Sequence, residues 1–247
     1  SIDPLHRRLI IVSGGTTLKK YQGQTELEFF CSRLTAMKER LGAAPPLTLQ
    51  IGAQPDENWK VIKDTGIVTS VEPNMEVWDR KLFEWICPGK NKFVGYDEWI
   101  RRMIKGVEIF GQYMVNPNFV LGVEMAKPHG FTDIGKAVKS LASGWDFLMS
   151  HGVLPRYRFW FIEKGSVLGD QVPPPLEYYI EAGKAYEELR QKHGIEFPYA
   201  TQMGGFCSYV PSCQMDWEYY NGTGSLSKKT LEKRGYRGIP DFEKMMS

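Results

Sequence analysis

The hydrophobic pattern of this chain alternates between short, continuously apolar runs and longer stretches in which apolar residues recur every three or four positions. Runs of four or five apolar residues that end in glycine or polar residues are typical of buried parallel strands, and the longer spacing is typical of amphipathic helices. Five runs predict strands, near residues 9–13, 47–51, 67–71, 119–123 and 158–162. Six periodic stretches predict helices, over residues 25–41, 56–64, 77–85, 96–112, 134–150 and 176–193.

The order of these elements predicts the fold. Strands that alternate with helices form a parallel sheet with right-handed crossovers. Five strands, with a weaker sixth near residues 199–206, are fewer than the eight of a closed barrel. We therefore predict an α/β fold, a partial parallel (β/α) TIM-like barrel. No internal repeat or low-complexity linker divides residues 1–247, so we predict one domain, with a barrel core over about 1–195 and a C-terminal extension over 196–247.

Composition and charge narrow the classes of function. The formal net charge of +2 gives no electrostatic reason to expect binding to nucleic acid or to an anionic membrane. No apolar run approaches the ~20 residues needed to cross a bilayer. The first residues contain no signal-peptide apolar segment. Four scattered cysteines are too few for a disulfide framework, which favours a reduced, cytoplasmic setting.

Two of the cysteines, Cys207 and Cys213, are close enough in the sequence to bind a metal ion together. No histidine or further cysteine nearby completes a four-ligand set, and the four histidines of the chain show no metal-binding spacing. The motifs of metalloproteases, serine hydrolases and phosphate-binding loops are also absent. We therefore assign no metal site.

Unusual residues follow the first predicted strand. All strands of a parallel barrel point the same way, so the residues just after each strand share one rim, where barrels bind ligands. Ser13 is followed by Gly14, Gly15 and Thr16. Glycines let the backbone N–H groups approach a ligand closely, because no Cβ stands in the way. The alternative is an ordinary turn between a strand and a loop.

The third predicted strand is followed by Glu72 and Asn74, and Arg80 comes shortly after them. A carboxylate and an amide together suit the two hydroxyls of a ribose, and an arginine suits a carboxylate. Alternatively, Glu72 or Asn74 caps the next helix. Glu124 ends the apolar run of the fourth strand. It is either a ligand contact or one half of a buried pair with an arginine or lysine of the barrel.

Taken together, these residues resemble the radical S-adenosylmethionine superfamily, in particular the branch that contains biotin synthase and the hydrogenase-maturation enzymes. The resemblance extends over about residues 9–168 and is carried by order and spacing rather than by one strong motif. Thr16 stands where the family usually has an acidic residue. The matching residues are Gly14, Gly15, Thr16, Glu72, Asn74, Arg80 and Glu124.

The resemblance implies a role for each of these residues in binding S-adenosylmethionine. The backbone of Gly14 and Gly15 would take the methionyl amino group, and Arg80 the methionyl carboxylate. Glu72 and Asn74 would bind the ribose. In the family, the segment that corresponds to residues 120–124 lies near the adenine, although the first glycine of that family motif is missing here.

The chain departs from the family at its defining motif. A C-x-x-x-C-x-x-C loop after the first strand holds the [4Fe–4S] cluster in this superfamily, and no such loop occurs in the 247 residues. The resemblance therefore implies a barrel without its first β/α unit, either because the chain is a fragment of a longer parent or because it is a degenerate homologue. We favour the fragment, because a barrel that opens at its second strand leaves an unpaired edge.

Three functions remain open. The leading one is a radical S-adenosylmethionine enzyme, whose parent uses S-adenosylmethionine and a [4Fe–4S] cluster to form a 5′-deoxyadenosyl radical that acts on an unknown small-molecule or peptide substrate. The chain alone is then expected to bind no cluster and to be inactive. The second is a cluster-free barrel that binds a nucleoside or another small ligand without catalysis. The third, a barrel lyase or aldolase, ranks last because no lysine lies on a predicted strand.

Overall fold

Strands and helices alternate along the part of the chain that the computed structural model describes, which is residues 10–14, 20, 22–41 and 47–195. These residues belong to one compact unit, Ser1–Glu196. The predictions for Gly15, Thr16, Cys207 and Cys213 lie outside the described residues. The strands are β1 (Ile10–Ser13), β2 (Leu47–Gln50), β3 (Val68–Val71), β4 (Asn118–Leu121) and β5 (Arg156–Phe159). The helices are α1 (Glu26–Leu41), α2 (Asp56–Asp64), α3 (Arg80–Ile86), α4 (Pro88–Phe93), α5 (Tyr96–Phe110), α6 (Ile134–Ser150) and α7 (Leu176–Lys192).

All strand pairs of the described residues are parallel. β1, β2 and β3 form one sheet in sequence order, and β4 pairs with β5 in a second sheet. Two isolated parallel bridges, Val71 with Val115 and Glu76 with Phe119, connect the segment at the end of β3 with the segment that leads into β4. The predicted α/β class with parallel strands is thereby confirmed, in the form of two small sheets.

The helices pack on the strands through apolar faces that the sequence spacing predicts. In α5, Trp99 and Met103 are buried, and in α6, Trp145 is buried with its neighbours on the same face. A glycine on α6 makes one close approach possible, because a Cβ at Gly144 would lie 2.3 Å from the ring of Trp78. Aromatic ring pairs contribute to this core, such as Trp145 and Tyr157, whose rings stack with their centroids 5.4 Å apart.

The region between β3 and α5 differs from the prediction of one helix over residues 77–85. Glu76 is still held by its bridge to Phe119, so the helix begins only at Arg80. Its first turn is capped by the Asp79 carboxylate, which accepts a hydrogen bond from the backbone N–H of Leu82 at 3.0 Å. The short helix α4 follows at once. Proline breaks a helix interior but is well suited to a first turn, so Pro88 begins α4 rather than a loop.

The last described strand is also shifted. The aromatic run that ends at residue 162 predicts a strand over 158–162, whereas β5 spans Arg156–Phe159. The backbone N–H of Arg156 donates to the carbonyl of Pro117, and the N–H of Trp160 donates to the carbonyl of Leu121, which defines both ends of the pairing. Among the described residues, no helix combines the length and the apolar character needed to cross a membrane.

Candidate functional site

A cavity of about 610 Å³ lies among the segment that follows β3, the junction of α3 and α4, and strands β4 and β5. This volume is within the range of small-molecule sites, about 300–1,000 Å³. One part of its wall is charged or polar and another is aromatic. Its lining residues are Glu76, Ile86, Cys87, Pro88, Gly89, Lys90, Asn118, Val120, Val123, Arg158, Phe159, Trp160, Phe161 and Leu168.

Glu76 occupies an unusual backbone conformation at this cavity. Its φ of 71° is in the left-handed region, which costs energy in a residue with a Cβ. The surrounding backbone holds it there, because the N–H of Glu76 donates to the carbonyl of Asn118 at 3.0 Å and the N–H of Val120 donates to the carbonyl of Glu76 at 2.8 Å. A strained residue that is fixed in this way beside a cavity is characteristic of a functional site.

Lys90, the third residue of α4, anchors the same segment from its other side. Its Nζ donates to Glu76 Oε1 and to the backbone carbonyl of Asn74, both at 2.7 Å. The ammonium group also lies 5.2 Å from the centroid of the Trp99 ring, a cation–π arrangement, and the Trp99 Nε1–H donates to the carbonyl of Pro73 at 3.2 Å. Residues 73–76 are therefore held in one conformation, with the Glu76 carboxylate directed by a cation.

Glu72 lies away from the lining of this cavity, in a buried ion pair. Its Oε1 accepts a hydrogen bond from Arg156 Nη1 at 3.0 Å, and its Oε2 accepts a long one from the side chain of Gln50 at 3.4 Å. Arg156 is the first residue of β5 and also donates from Nη2 to the side-chain oxygen of Asn116 at 3.3 Å. Burial raises the pKa of Glu72 to about 7, against the opposing effect of the Arg156 guanidinium.

Glu124 is buried too, and its partner is not a cation. Its Oε2 accepts hydrogen bonds from the hydroxyl of Tyr178 at 2.6 Å and from the backbone N–H of Gly122 at 3.0 Å. Its Oε1 has no hydrogen-bond partner among the described residues. Burial raises the pKa of this carboxyl to about 7. From the sequence, we expect Glu124 to contact a ligand or to pair with an arginine or lysine. Its partner in the structure is instead a tyrosine, 54 positions away.

The remaining predicted residues also lie outside the lining of the cavity. Arg80 forms an ion pair with Asp97 and stacks on the ring of Tyr96, 4.4 Å from its centroid, with its side chain 49% exposed. Asn74 accepts a hydrogen bond through its side-chain oxygen from the backbone N–H of Asn118 at 3.1 Å, so it supports a residue of the cavity wall. Gly14 ends the described part of the first loop. Their contacts with a ligand remain predictions.

Sequence reasoning missed Glu76 and Lys90, two of the three charged residues in the lining of this cavity. Glu76 is only two positions from Asn74, but adjacent polar residues after a strand do not reveal which one faces a cavity. Lys90 follows Pro88 and Gly89, a pair that indicates the end of a helix. Nothing in this segment indicates that Lys90 forms an ion pair with Glu76, 14 positions earlier. The positive φ of Glu76 has no sequence signal at all, because it is imposed by pairing with β4.

The described residues do not fit an iron–sulfur cluster. Two of the four cysteines are described: Cys31 is half-buried on α1, and Cys87 is buried between α3 and α4. No group of three or more His, Cys, Asp or Glu side chains that could hold a metal ion occurs within the described part of the chain. Burial raises the pKa of the Cys87 thiol to about 11, which is the opposite of what metal binding requires.

Comparison with known proteins finds a distant relative. No known protein-family profile matches the chain. A stretch of 142 residues is 26% identical to the bacteriochlorophyllide c C-7(1)-hydroxylase of Chlorobaculum limnaeum, and this stretch is 57% of the present chain and 31% of the hydroxylase. The chain therefore matches less than a third of the length of that relative.

Proposed function

We propose that this chain forms most of the barrel of a radical S-adenosylmethionine enzyme and that its 610 Å³ cavity is the site of S-adenosylmethionine. The observation that carries the proposal is the fixed, strained Glu76 at the carboxyl end of a parallel β/α array, beside a cavity with an aromatic wall. Ligands of such arrays bind at the carboxyl ends of the strands. The fold that we propose for the chain is a partial TIM-like barrel that lacks its first β/α unit.

The cavity offers groups that suit a nucleoside. The carboxylate of Glu76 and the side chain of Asn118 are a hydrogen-bond acceptor and an amide that suit ribose hydroxyls, and the rings of Phe159 and Trp160 suit the flat, apolar face of adenine. The ribose role therefore moves from Glu72, whose carboxylate is engaged by Arg156, to Glu76. Gly14, Gly15 and Arg80 remain the proposed contacts of the methionyl end, and Arg80 would exchange Asp97 for the ligand carboxylate.

The similarity to a hydroxylase agrees with this chemistry. A hydroxylase replaces a C–H bond by a C–O bond, and the family that the sequence resembles begins its reactions by removing a hydrogen atom from carbon. The proposal also requires a [4Fe–4S] cluster, which supplies the electron for that chemistry when it is bound. The cluster would need a three-cysteine loop that the 247 residues do not contain, so the part proposed for this chain is to bind and orient S-adenosylmethionine.

The proposal is tested by calorimetric titration of the chain with 5′-deoxyadenosine and with S-adenosylmethionine. We expect both to bind, and we expect Glu76→Gln to weaken both by about tenfold or more, because one charge-assisted hydrogen bond is worth about 1.5–3 kcal/mol. The matched control is Glu98→Gln, which removes a carboxylate that also pairs with basic side chains but lies on α5, outside the lining of the cavity. Absence of binding, or equal losses in the two variants, would refute the proposed site.

A second experiment addresses the cluster. After anaerobic reconstitution with iron and sulfide, we expect the chain to hold no [4Fe–4S] cluster, because no three-cysteine loop is available. Iron at about four per chain would show instead that Cys207 and Cys213, with another thiol, form a site. Reading the gene upstream of Ser1 for a C-x-x-x-C-x-x-C segment separates a fragment from a degenerate homologue.

The alternative function, a cluster-free barrel that binds a nucleoside without catalysis, uses the same cavity. The two functions predict different contributions of the methionyl end of S-adenosylmethionine to its binding affinity. If S-adenosylmethionine binds at least tenfold more tightly than 5′-deoxyadenosine, and Arg80→Ala removes that advantage, the radical enzyme is favoured. Equal affinities for the two ligands, with no effect of Arg80→Ala, favour the nucleoside-binding barrel.

A further inference from the structure

The 610 Å³ cavity has a third charged residue, Arg158, to which the proposed function gives no role. The other two, Glu76 and Lys90, form an ion pair with 2.7 Å between Oε1 and Nζ. The side chain of Lys90 is only 14% exposed and that of Glu76 24%, whereas Arg158 is an exposed residue. Arg158 is therefore the most accessible of the charged residues in the lining of this cavity.

Strand β5 determines where Arg158 lies. Arg156 and Arg158 are two residues apart on this strand, so their side chains project from the same face of the sheet. Arg156 is aligned with Asn118 of β4, and Arg158 with Val120, which lines the cavity. Arg158 is thus one step nearer than Arg156 to the carboxyl end of the strand, where ligands of parallel β/α arrays bind. A side chain on a strand is also held more precisely than one on a loop.

The inner arginine, Arg156, shows what a guanidinium binds on this face of the strand. Its Nη1 donates to Glu72 Oε1 at 3.0 Å, and the Arg156 side chain is only 10% exposed. Burial raises the pKa of Glu72 to about 7, and the charges of Arg156 and Arg158 oppose this rise, so both arginines act on one carboxyl. Arg158 therefore repeats, one step nearer the cavity, the chemistry that binds Glu72.

A guanidinium at this position suits a carboxylate. It is always charged, and its planar fork of five N–H donors can bind both oxygens of a carboxylate in addition to a protein partner. A phosphate dianion is a poorer match, because Glu76 in the same lining would repel its second negative charge. The proposed function already assigns the one carboxylate of S-adenosylmethionine to Arg80. The accessible guanidinium of Arg158 therefore indicates a carboxylate on a second molecule.

We propose that Arg158 binds a carboxylate of the substrate, which is therefore a small organic acid. The proposal rests on the proposed function, since it takes this cavity as the site of S-adenosylmethionine and Arg80 as the contact of the methionyl carboxylate. It names the chemical class of the substrate, which no motif of the sequence indicates. Arg158 is then a specificity-determining residue, because its charge attracts an acid and repels a cationic competitor.

The test compares benzoate with benzamide, which share one ring but differ in charge. Both are titrated into the chain by ligand-observed NMR, with and without saturating 5′-deoxyadenosine. We expect benzoate to bind at least about fivefold more tightly in both conditions, since a hydrogen bond to a charged group is roughly twice as strong as a neutral one. Arg158→Gln should remove this preference, and Arg158→Lys should keep part of it, because lysine retains the charge without the planar fork.

The matched control is Arg101→Gln. Arg101 is an exposed arginine of α5 that lies outside the lining of the cavity, so this variant removes the same charge and should leave the preference for benzoate within about twofold. A second arm identifies the source of the carboxylate. Arg158→Gln should leave the affinity for S-adenosylmethionine, relative to 5′-deoxyadenosine, within about twofold, because the methionyl carboxylate is assigned to Arg80.

Four results would overturn the proposal. They are equal binding of benzoate and benzamide, equal effects of Arg158→Gln and Arg101→Gln, displacement of benzoate by 5′-deoxyadenosine, and loss in Arg158→Gln of the advantage of S-adenosylmethionine over 5′-deoxyadenosine. The last result would assign Arg158 to the methionyl carboxylate instead. Circular dichroism checks that each variant folds. Failure of 5′-deoxyadenosine to bind, with the benzoate preference and its dependence on Arg158 intact, overturns the proposed function and leaves an organic-acid site.

Discussion

We expect the buried carboxyl of Glu124 to make the free energy of unfolding fall as the pH rises. The substitution Glu124→Gln tests this expectation. The residue is 1% exposed, and both of its hydrogen bonds from Tyr178 and Gly122 reach the same oxygen, Oε2. A neutral acid fits this arrangement, with its carbonyl as Oε2 and its proton on Oε1. An ionised carboxylate would leave a charged oxygen buried without a partner among the described residues.

The magnitude follows from the pKa. Burial raises the pKa of Glu124 from 4.5 to about 7, so the native state keeps a proton between these pH values that the unfolded chain has lost. The free energy of unfolding therefore falls as the pH rises through this window and is flat above it. At about 1.4 kcal/mol for each pH unit, the total loss is about 3 kcal/mol. Glutamine has no proton to lose, so the variant should not show this loss.

The assay is urea unfolding of both proteins between pH 4.5 and 8. We expect the stability of Glu124→Gln relative to the wild type to rise by about 3 kcal/mol over this range, whatever its value at pH 4.5. Burial also raises the pKa of Glu72 to about 7, but this carboxyl is present in both proteins and cancels in the difference. The m-values should agree, because the surface exposed on unfolding is the same.

A stability difference that does not change with pH would refute this reasoning. Glu57→Gln, which removes an exposed carboxylate on α2, serves as the control for the loss of a carboxylate that is not buried. Tyr178→Phe adds a second check. The Tyr178 hydroxyl lowers the pKa of Glu124 by donating to Oε2, so its removal should extend the pH dependence to higher pH. A shift of the window to lower pH would contradict the assigned direction of that hydrogen bond.

Three other substitutions have expected outcomes. Gly144→Ala should reduce the free energy of unfolding by about 1–3 kcal/mol in urea titrations, because its Cβ would lie 2.3 Å from the Trp78 ring. Arg156→Met should cost about 3–5 kcal/mol at pH 8, because it removes the guanidinium that is hydrogen-bonded to the buried Glu72, and the loss should shrink at pH 5. Lys90→Met should weaken 5′-deoxyadenosine binding by about tenfold in calorimetry and Lys90→Arg by less, since a cation at this position directs the Glu76 carboxylate.

Elements whose formation depends on local sequence could be predicted. The apolar runs that form β1, β2 and β3 lie within a residue or two of their predicted positions, and the helical spacing predicts α5 and α6 almost to the residue. The formation of these elements depends on the spacing of apolar residues and on capping residues, and both can be recognised directly in the sequence. The parallel arrangement followed from the alternation of strands and helices, and the structure has it in two small sheets.

The charged part of the site could not be predicted, because it depends on contacts between distant residues. Lys90 reaches Glu76 only because α4 follows α3 directly after Cys87, and that junction is read from the sequence as a break. The strain at Glu76 comes from its pairing with the strand that contains Phe119, 43 positions later. Strained positions of this kind are the ones at which local rules are expected to fail.

Burial separates two kinds of polar residue after the strands of this fold. Glu72 and Glu124 are each 1% exposed and bonded to a partner from a distant element, so their substitution should change stability first. Glu76 lies at the wall of a cavity with its side chain 24% exposed, and within the described part of the chain its carboxylate is paired through Oε1. Exposure at a cavity wall therefore distinguishes Glu76, whereas pairing alone does not, because Glu124 also accepts its hydrogen bonds through one oxygen, Oε2. On that criterion Glu76 carries the functional proposal, and a ligand contact of Glu72 or Glu124 remains a prediction.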